Sequence, residues 1–394
     1  MFTLNHNHRE ESQRVRNSIP TNLFGGIIDC SFAFALCLSV FFPSNAGAIE
    51  WRNDYTVSLT AERDDNFRLT EADPVETTST SVFASGELRG EIDEVSNFQL
   101  GLVASTTTYS ESSIEDSEDY SLFFRSQRRG ERWSGSLDAS FSLAPTTQTE
   151  LLDTGNRIDG EREAIRVEPG INYQIDERNA IYLNLAFLDV NYDTVSLIEY
   201  TDNLLAVGWV NQISETSEVL INGTFSEFNP DNDDLTTITG FSFGYGLSKT
   251  EVTRYDLTLG YAEADTPEEV NRDGNSSFEF RYIPDERNSF SIFVGNGFEG
   301  SGAGEVRHES RLNLNWNHAL AERAQLSVNT EGVKSDLRDY VEILVSGRYQ
   351  YTRELSFEAN YRYRIQHIDT TEADSNSILF SLQYSPDSGF RHTL

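Results

Sequence analysis

Cysteine is nearly absent from this chain: Cys30 and Cys37 are the only two among 394 residues, and both lie near the amino terminus. A fold held together by disulfides needs several pairs, so the sequence excludes that class. Basic residues are also scarce, with 30 Lys and Arg against 64 Asp and Glu and a formal charge of −34. Because phosphate binding needs a basic surface, we expect no nucleic-acid partner.

Long hydrophobic runs and catalytic motifs are missing as well. After residue 48 no stretch is apolar for long enough to form a transmembrane helix. The histidines beyond that point, His308, His318, His367 and His392, have no metal-binding spacing. The chain has no Gly-x-Ser-x-Gly elbow and no Gly-rich phosphate loop. We therefore expect no metal, no cofactor and no enzymatic activity.

The first 48 residues have the features of a secretory signal peptide. Three arginines precede an apolar run at residues 30–42, and Ala46 and Ala48 are small residues placed as in a cleavage site. The apolar run is short for a bilayer span, and an N-terminal anchor is the alternative interpretation. Cleavage after Ala48 removes both cysteines and leaves Ile49 as the first residue of the mature chain.

Residues 163–192 carry the clearest structural pattern in the chain. Ile165, Val167, Ile171 and Tyr173 fall on one face of an extended strand, and the intervening positions are mainly polar. After a polar turn at residues 176–179, apolar and other residues alternate again from 180 to 187. Strict alternation on both sides of a short polar turn predicts a β-hairpin. One face suits lipid and the other suits water.

This hairpin pattern recurs to the end of the chain. It predicts about 18 strands, within roughly 16 to 20, an even number as in bacterial outer-membrane barrels. Short turns follow the even-numbered strands, and longer loops, such as 110–119 and 144–162, follow the odd-numbered ones. Periplasmic turns are short and external loops are long in such barrels, whereas a soluble β-sandwich has no reason to sort its loops. We predict an all-β, transmembrane, antiparallel up-and-down barrel over residues 49–384 and a short periplasmic tail at 385–394.

Two segments resemble a known family. They are Asp64-Asp65-Asn66-Phe67, after the first strand, and residues 168–178, EPGINYQIDER. The first is similar to an Asp-Asn element near the start of the β-barrel porin 2 proteins, and the second to their recurrent Pro-Gly-x-x-Tyr strand and turn. The resemblance implies an outer-membrane barrel without catalytic residues, of a kind that often accompanies exopolysaccharide or exosortase systems. The chain departs from a usual barrel terminus, because residues 385–394 follow the last aromatic, Tyr384.

Alternation places charged side chains of both signs on the inner face of the predicted barrel. The candidate pore-lining residues are Arg166, Glu168, Glu279, Arg281, Arg311, Glu342, Arg348, Glu358, Arg362 and Arg364. They form either a cross-strand ion-pair ladder, a polar pore lining, or both. The loop at 110–119 supplies a candidate acidic mouth of Glu111, Glu115, Asp116, Glu118 and Asp119. A second acidic loop is predicted at residues 263–273, and little sequence is left for a plug.

We therefore expect a porin-like aqueous channel in the Gram-negative outer membrane, with both termini in the periplasm. The expected solute is polar, either a small molecule or a polymer such as an exopolysaccharide. The expected partners are outer-membrane lipid, lipopolysaccharide and the barrel-assembly machinery. The alternative function is a non-conducting structural or accessory barrel of a surface-polysaccharide or exosortase-linked system.

Overall fold

A computed structural model of the chain describes residues 50–150, 158–232, 234–336, 338–368, 371–386 and 392–393. All of them belong to one unit, Gly47–Leu394. The predicted signal peptide and most of the predicted tail lie outside the described residues, so both remain predictions. Among the described residues, no helix is long and apolar enough to cross a membrane.

The described chain forms eighteen long strands, one two-residue strand and one short helix. In chain order the strands are β1 (Glu50–Asp64), β2 (Thr77–Asp93), β3 (Ser96–Tyr109), β4 (Ser117–Arg129), β5 (Trp133–Pro145), β6 (Glu161–Gln174), β7 (Asn179–Tyr192), β8 (Tyr200–Ser214), β9 (Ser217–Pro230), β10 (Thr236–Thr250), β11 (Thr253–Asp265), β12 (Val270–Asp285), β13 (Asn288–Gly300), β14 (Val306–Ala321), β15 (Ala324–Lys334), β16 (Arg338–Gln350), β17 (Leu355–Ile368), β18 (Thr371–Tyr384) and β19 (His392–Thr393). The helix, α1 (Thr146–Thr149), lies between β5 and β6. The predicted number of long strands is confirmed.

The strands close into a single antiparallel barrel. Each long strand pairs with the next one in sequence, from β1 to β18. The barrel closes because β1 also pairs with β18, from Val57 opposite Tyr384 to Asp64 opposite Ser377. The start of β1 pairs with β19 instead. Every long strand thus has a partner on both sides, which removes the exposed edges of an open sheet.

The wall of the barrel has an apolar outer face and a polar inner face. In β18, Ile378 and Phe380 are 51% and 62% exposed, whereas Ser375 and Ser377 are 1% and 2% exposed. Inner-face side chains shield one another across a closed barrel, so the low-exposure polar side is the inner one. Since successive residues of a strand point to opposite faces, the same division continues around the wall.

The connections differ between the two ends of the barrel. One end has only short turns, at residues 94–95, 130–132, 175–178, 215–216, 251–252, 286–287, 322–323 and 351–354. The other end has the longer loops, at 65–76, 110–116, 146–160, 193–199, 231–235 and 301–305. The predicted asymmetry is weaker along the second half of the chain, because the connections at 266–269, 335–337 and 369–370 are as short as the turns.

Two of the turns are closed by an aspartate in the same way. The Asp176 carboxylate accepts hydrogen bonds from the backbone N–H groups of Arg178 and Asn179, at 2.8 and 2.9 Å. The carboxylate of Asp285 accepts the equivalent bonds in the 286–287 turn. These bonds favour the charged carboxylate and lower the pKa of Asp176. The repeated Asp-Glu-Arg-Asn sequence therefore fixes the direction in which the strand after each turn begins.

The prediction of an acidic loop at residues 263–273 is wrong. Strand β11 extends to Asp265 and β12 begins at Val270, so only 266–269 connect them. Glu263 lies opposite Arg272 in the ladder, and their side chains form an ion pair at 2.8 Å. This opposite-charge pair lets an acidic stretch continue as paired strands rather than as a solvated loop.

Candidate functional site: the interior of the barrel

All ten charged residues predicted to line a pore lie on the inner face, on β6, β12, β14, β16 and β17. Within β6, Arg166 donates to Glu168 two residues away, with Nε at 2.8 Å from Oε1. Within β12, Arg281 forms the equivalent pair with Glu279. These four side chains partly neutralise one another along their own strands.

The remaining wall charges are paired in other ways. Arg311 on β14 contacts the buried Glu309 at 3.2 Å. Arg348 lies directly opposite Glu358 in the β16–β17 ladder, and its Nη2 donates to Ser356 Oγ at 3.2 Å. Several of these inner-face charges are thus neutralised within their own strands rather than across neighbouring strands, so the cross-strand ladder remains a prediction.

Arg362 lies between two carboxylates from neighbouring parts of the wall. Its guanidinium group is 3.4 Å from Glu62 on β1 and 3.8 Å from Glu342 on β16. One guanidinium group thus partly neutralises two carboxylates. The sequence singled out Arg362 and Glu342 but not Glu62, because the pairing depends on the closure of the barrel and joins opposite ends of the chain.

A buried ion pair lies at the closing seam. Arg364 and Asp64 are in direct contact, and their side chains are 3% and 4% exposed. Asp64 also accepts hydrogen bonds from Ser375 Oγ at 2.7 Å and from the backbone N–H of Asn66 at 3.0 Å. The Asn66 side chain donates to the backbone oxygen of Asp374 at 2.8 Å. The Asp-Asp-Asn element seen in the sequence therefore joins the loop 65–76 to β18.

The five acidic residues predicted at the mouth are not grouped as expected. Strand β4 begins at Ser117, so Glu118 and Asp119 belong to the wall and point to opposite faces. Only Glu111, Glu115 and Asp116 lie in the loop, now 110–116. The Asp116 carboxylate accepts a hydrogen bond from the backbone N–H of Tyr109 at 3.0 Å. The loop is shorter than predicted because acidic residues next to a Tyr-Ser-Leu stretch still alternate as a strand.

Another acidic pair lies in two neighbouring loops at the same end of the barrel. Glu199 precedes β8 and Asp231 follows β9. Burial, together with the adjacent Asp231 carboxylate, raises the pKa of Glu199. Asp231 begins the loop 231–235, in which residue 233 lies outside the described residues. Among those described, no group of three or more His, Cys, Asp or Glu side chains is arranged to hold a metal ion.

The loop 65–76 folds inward over the interior. Leu69 is 4% exposed and packs in a buried apolar cluster with Val333, Tyr340 and Ala373, which come from the inner faces of β15, β16 and β18. Leu69 also has a positive φ of 53°, a backbone conformation that is uncommon for a leucine. The packing of its side chain offsets the cost of that conformation and holds the loop inside the barrel.

Three further loops meet on the opposite side of the interior. Leu197 packs with Val190, Tyr200 and Phe228 in a second apolar cluster. The backbone N–H of residue 198 donates to the backbone oxygen of residue 302 at 2.9 Å, which joins the loops 193–199 and 301–305. Behind α1, Glu150 is buried and contacts Arg162 at 3.1 Å. Ordinary loops thus pack against the inner face of the wall at this end of the barrel.

Two cavities of about 360 Å³ each remain inside the barrel. The first, which we call the acidic cavity, lies between β1–β3 and β15–β17, beside Phe67 of the folded loop and Thr147 of α1. The second lies against β8–β14, where Leu204, Ile238 and Phe293 share the lining with Glu309 and Arg311. One cavity is thus bounded mainly by charged and hydroxyl groups, and the other is partly apolar.

Alternation identified the wall residues but missed those that shape the interior. Leu69 and Leu197 are isolated apolar residues in otherwise polar loops, and they belong to no period-two pattern. An apolar residue in a polar external loop is the only sequence signal that could have indicated inward folding. Glu331 is equally hard to find from the sequence, because it lies near the loop end of β15, where apolar residues no longer alternate regularly with polar ones.

Solved structures with a similar architecture were found by comparison. No protein-family profile and no curated protein matches the chain. OccAB4 from Acinetobacter baumannii has 10% sequence identity and a TM-score of 0.47, over 88% of this chain and 100% of that one. A BenF-like porin from Pseudomonas fluorescens Pf-5 has 9% identity and a TM-score of 0.47, over 85% and 98%. OpdQ from Pseudomonas aeruginosa has 8% identity and a TM-score of 0.45, over 85% and 97%. Similarity at this level supports no conclusion about the function of the chain. The fold described above is established by the pairing of its own strands.

Proposed function

We propose that the chain is a porin-like barrel of the Gram-negative outer membrane that lets a small polar solute pass by diffusion. The observation that carries this proposal is the division of the wall into an apolar outer face and a charged, hydroxyl-rich inner face. A soluble barrel gains nothing from exposing Phe380, Leu259 and Phe241 at 62%, 56% and 60%. In a bilayer the same side chains meet hydrocarbon.

The dimensions of the wall agree with a membrane position. The long strands contain between 11 and 17 residues, and a tilted strand needs about 9–11 residues to cross the hydrocarbon core. Because closed barrels satisfy every backbone polar group between strands, they can cross lipid without exposing an edge. We place the short turns and both termini in the periplasm, and the longer loops outside, against lipopolysaccharide.

The packing of the loops favours a small solute over a polymer. Leu69 and Leu197 hold the loops 65–76 and 193–199 against the inner face of the wall, and each of the two cavities, at about 360 Å³, has the volume of a small-molecule site. Passage of a polymer such as an exopolysaccharide is the finer proposal that the family resemblance suggests. It requires the inward-folded loops to move aside, because a polymer needs a continuous path.

Single-channel recording tests the proposal. Mature protein reconstituted in a planar bilayer should give discrete current steps, and the same protein unfolded by heat should give none. The current should favour cations, because acids outnumber bases by 64 to 30 over the chain. This preference should fade as salt rises, since exposed charges are screened over about 8 Å at physiological ionic strength. A folded barrel that never conducts would contradict the channel.

A second function, a non-conducting accessory barrel, is favoured by one observation. Loops from both sides of the interior fold inward and bury Leu69 and Leu197 at 4% and 6% exposure. A wall closed by its own loops would serve as a scaffold, for example in a surface-polysaccharide system. The recording separates the two functions, because an accessory barrel remains silent when it is folded and inserted.

A further inference from the structure

The acidic cavity carries an excess of negative charge. Its lining contains four carboxylates, those of Glu62, Asp64, Glu331 and Glu342, against the two guanidinium groups of Arg362 and Arg364. Arg364 forms an ion pair with Asp64 at the closing seam. Arg362 is shared between two carboxylates at 3.4 and 3.8 Å. The lining therefore carries two more negative groups than positive ones.

The uncompensated charge is concentrated on β15 and β16. Glu331 lies directly opposite Glu342 in the ladder, and both side chains face the cavity. Like charges placed directly opposite one another destabilise a sheet. Glu342 lies opposite Arg364 in the β16–β17 ladder, is 3.8 Å from Arg362, and accepts a hydrogen bond from the hydroxyl of Tyr340 at 3.1 Å. Among the described residues Glu331 is in no ion pair, and Arg311 on β14 attracts its carboxylate without forming an ion pair with it. With four carboxylates against two guanidinium groups in its lining, the cavity favours a bound positive charge.

A buried hydroxyl beside these carboxylates also has no partner. Ser377 is 2% exposed on the inner face of β18, and among the described residues its Oγ makes no hydrogen bond. It lies opposite Asp64 in one ladder and opposite Arg362 in the other, and both of these line the cavity. A buried polar group without a hydrogen bond carries a free-energy cost. Ser377 lies next to the cavity but is not part of its lining, so a water that bridges from the cavity can remove this cost.

The part of the lining next to the carboxylates of β1 is rich in hydroxyl groups. Thr77, Ser79 and Ser81 of β2 and Thr107 of β3 lie there, and Thr147 from α1 adds a fifth hydroxyl. Ser81 and Thr107 hydrogen-bond to each other at 2.8 Å. Next to them, the rings of Phe67 and Tyr109 meet edge to face, with their centroids 5.1 Å apart. Hydroxyls can donate or accept, so this wall suits a solute with several hydroxyl groups rather than a bare ion.

We propose that the acidic cavity is a binding site for a small polyhydroxylated solute that carries a positively charged amine. The amine lies between Glu331 and Glu342, and the solute hydroxyls meet Ser79 and Thr147. This inference deepens the proposed channel function and depends on it, because it names the class of solute that the interior selects.

Three sugars of one ring size and different charge test the site. Glucosamine is the cationic probe, glucose the neutral one and glucuronate the anionic one, each added to the mature protein in a planar bilayer at low salt. We expect glucosamine to interrupt the current at a concentration at least tenfold below that for glucose, and glucuronate to be the weakest blocker. The double variant Glu331→Gln, Glu342→Gln should lose that tenfold preference. The matched control Glu177→Gln, in the exposed turn at the opposite end of the barrel, should keep it.

Each outcome decides the inference. Equal block of the current by all three sugars would overturn it. A preference for glucosamine that persists in the double variant would also overturn it. Block by Ca²⁺ or by spermidine but not by glucosamine would also overturn it, because a charge trap needs no hydroxyl wall. If no current is seen at all, the channel itself fails. In that case, equilibrium dialysis of radiolabelled glucosamine against the folded protein in detergent tests the site separately, and absence of charge-dependent binding would refute it.

Discussion

At the scale of single residues, Asp64 shows how far the sequence could be interpreted. The Asp-Asp-Asn sequence that begins at residue 64 resembles an element of a known family, but the sequence does not assign the partners of Asp64, which are Arg364 and Ser375. They lie about three hundred residues away, and no local pattern connects them. Alternation shows that a side chain faces inward, but it does not show which other inward side chain lies beside it. Pairing partners depend on register and closure, which are properties of the whole sheet.

The buried pair gives a prediction about stability. Asp64→Ala leaves the Arg364 guanidinium buried at 3% exposure without its counter-charge, which should destabilise the barrel by about 3–5 kcal/mol. Glu168→Ala is the control, because it removes one partner of an exposed pair and should cost less than about 1 kcal/mol. Urea unfolding in detergent, followed by the mobility difference between folded and unfolded protein, measures both. Equal midpoints for the two variants would show that the seam pair adds no stability.

At the scale of strands, the sequence predicted most of the architecture. Period-two alternation identified all eighteen long strands, because lipid on one side and water on the other impose opposite preferences on successive residues. Strand ends were predicted less well. Most strands extend further at the loop end, where β11 and β12 continue through the acidic stretch around Glu263 and Arg272. There the strands project towards water, so hydrophobic alternation fades while backbone pairing continues.

The register of the last complete hairpin can be tested by placing arginine on either face. Ile343 and Phe357 lie on the outer face of β16 and β17, so Ile343→Arg or Phe357→Arg should cost roughly 2–4 kcal/mol near the bilayer midplane. Ser346 lies on the inner face of β16, and Ser346→Arg should have a much smaller effect. Folded, heat-resistant gel mobility after refolding into lipid vesicles reports the difference. If Ser346→Arg were as damaging as the outer substitutions, the assigned faces would be reversed.

At the scale of the whole molecule, the two ends of the barrel should face different compartments. Val195, in the loop 193–199, is fully exposed, and Glu177 is exposed in a turn at the opposite end. Single cysteines can be introduced there, because the predicted cleavage after Ala48 would leave the mature chain without any. Val195→Cys should react with a membrane-impermeant thiol reagent on intact cells. Glu177→Cys should react only after the outer membrane is opened, and the reverse result would invert the orientation.

The pairing of β1 with β18 has a consequence for the order of events during folding. Apart from the short β1–β19 pairing, every other ladder joins strands adjacent in sequence and can form as soon as both exist. Closure brings Val57 to Tyr384 and must wait for β18. Until then, two open edges present unpaired N–H and C=O groups that invite pairing with other chains. The entropic cost of closing the barrel grows only slowly with the number of residues between β1 and β18. Late closure therefore lengthens the time for which the two strand edges are exposed and has little effect on the final stability. The nascent chain must therefore be kept away from its own copies until Ser375 reaches Asp64.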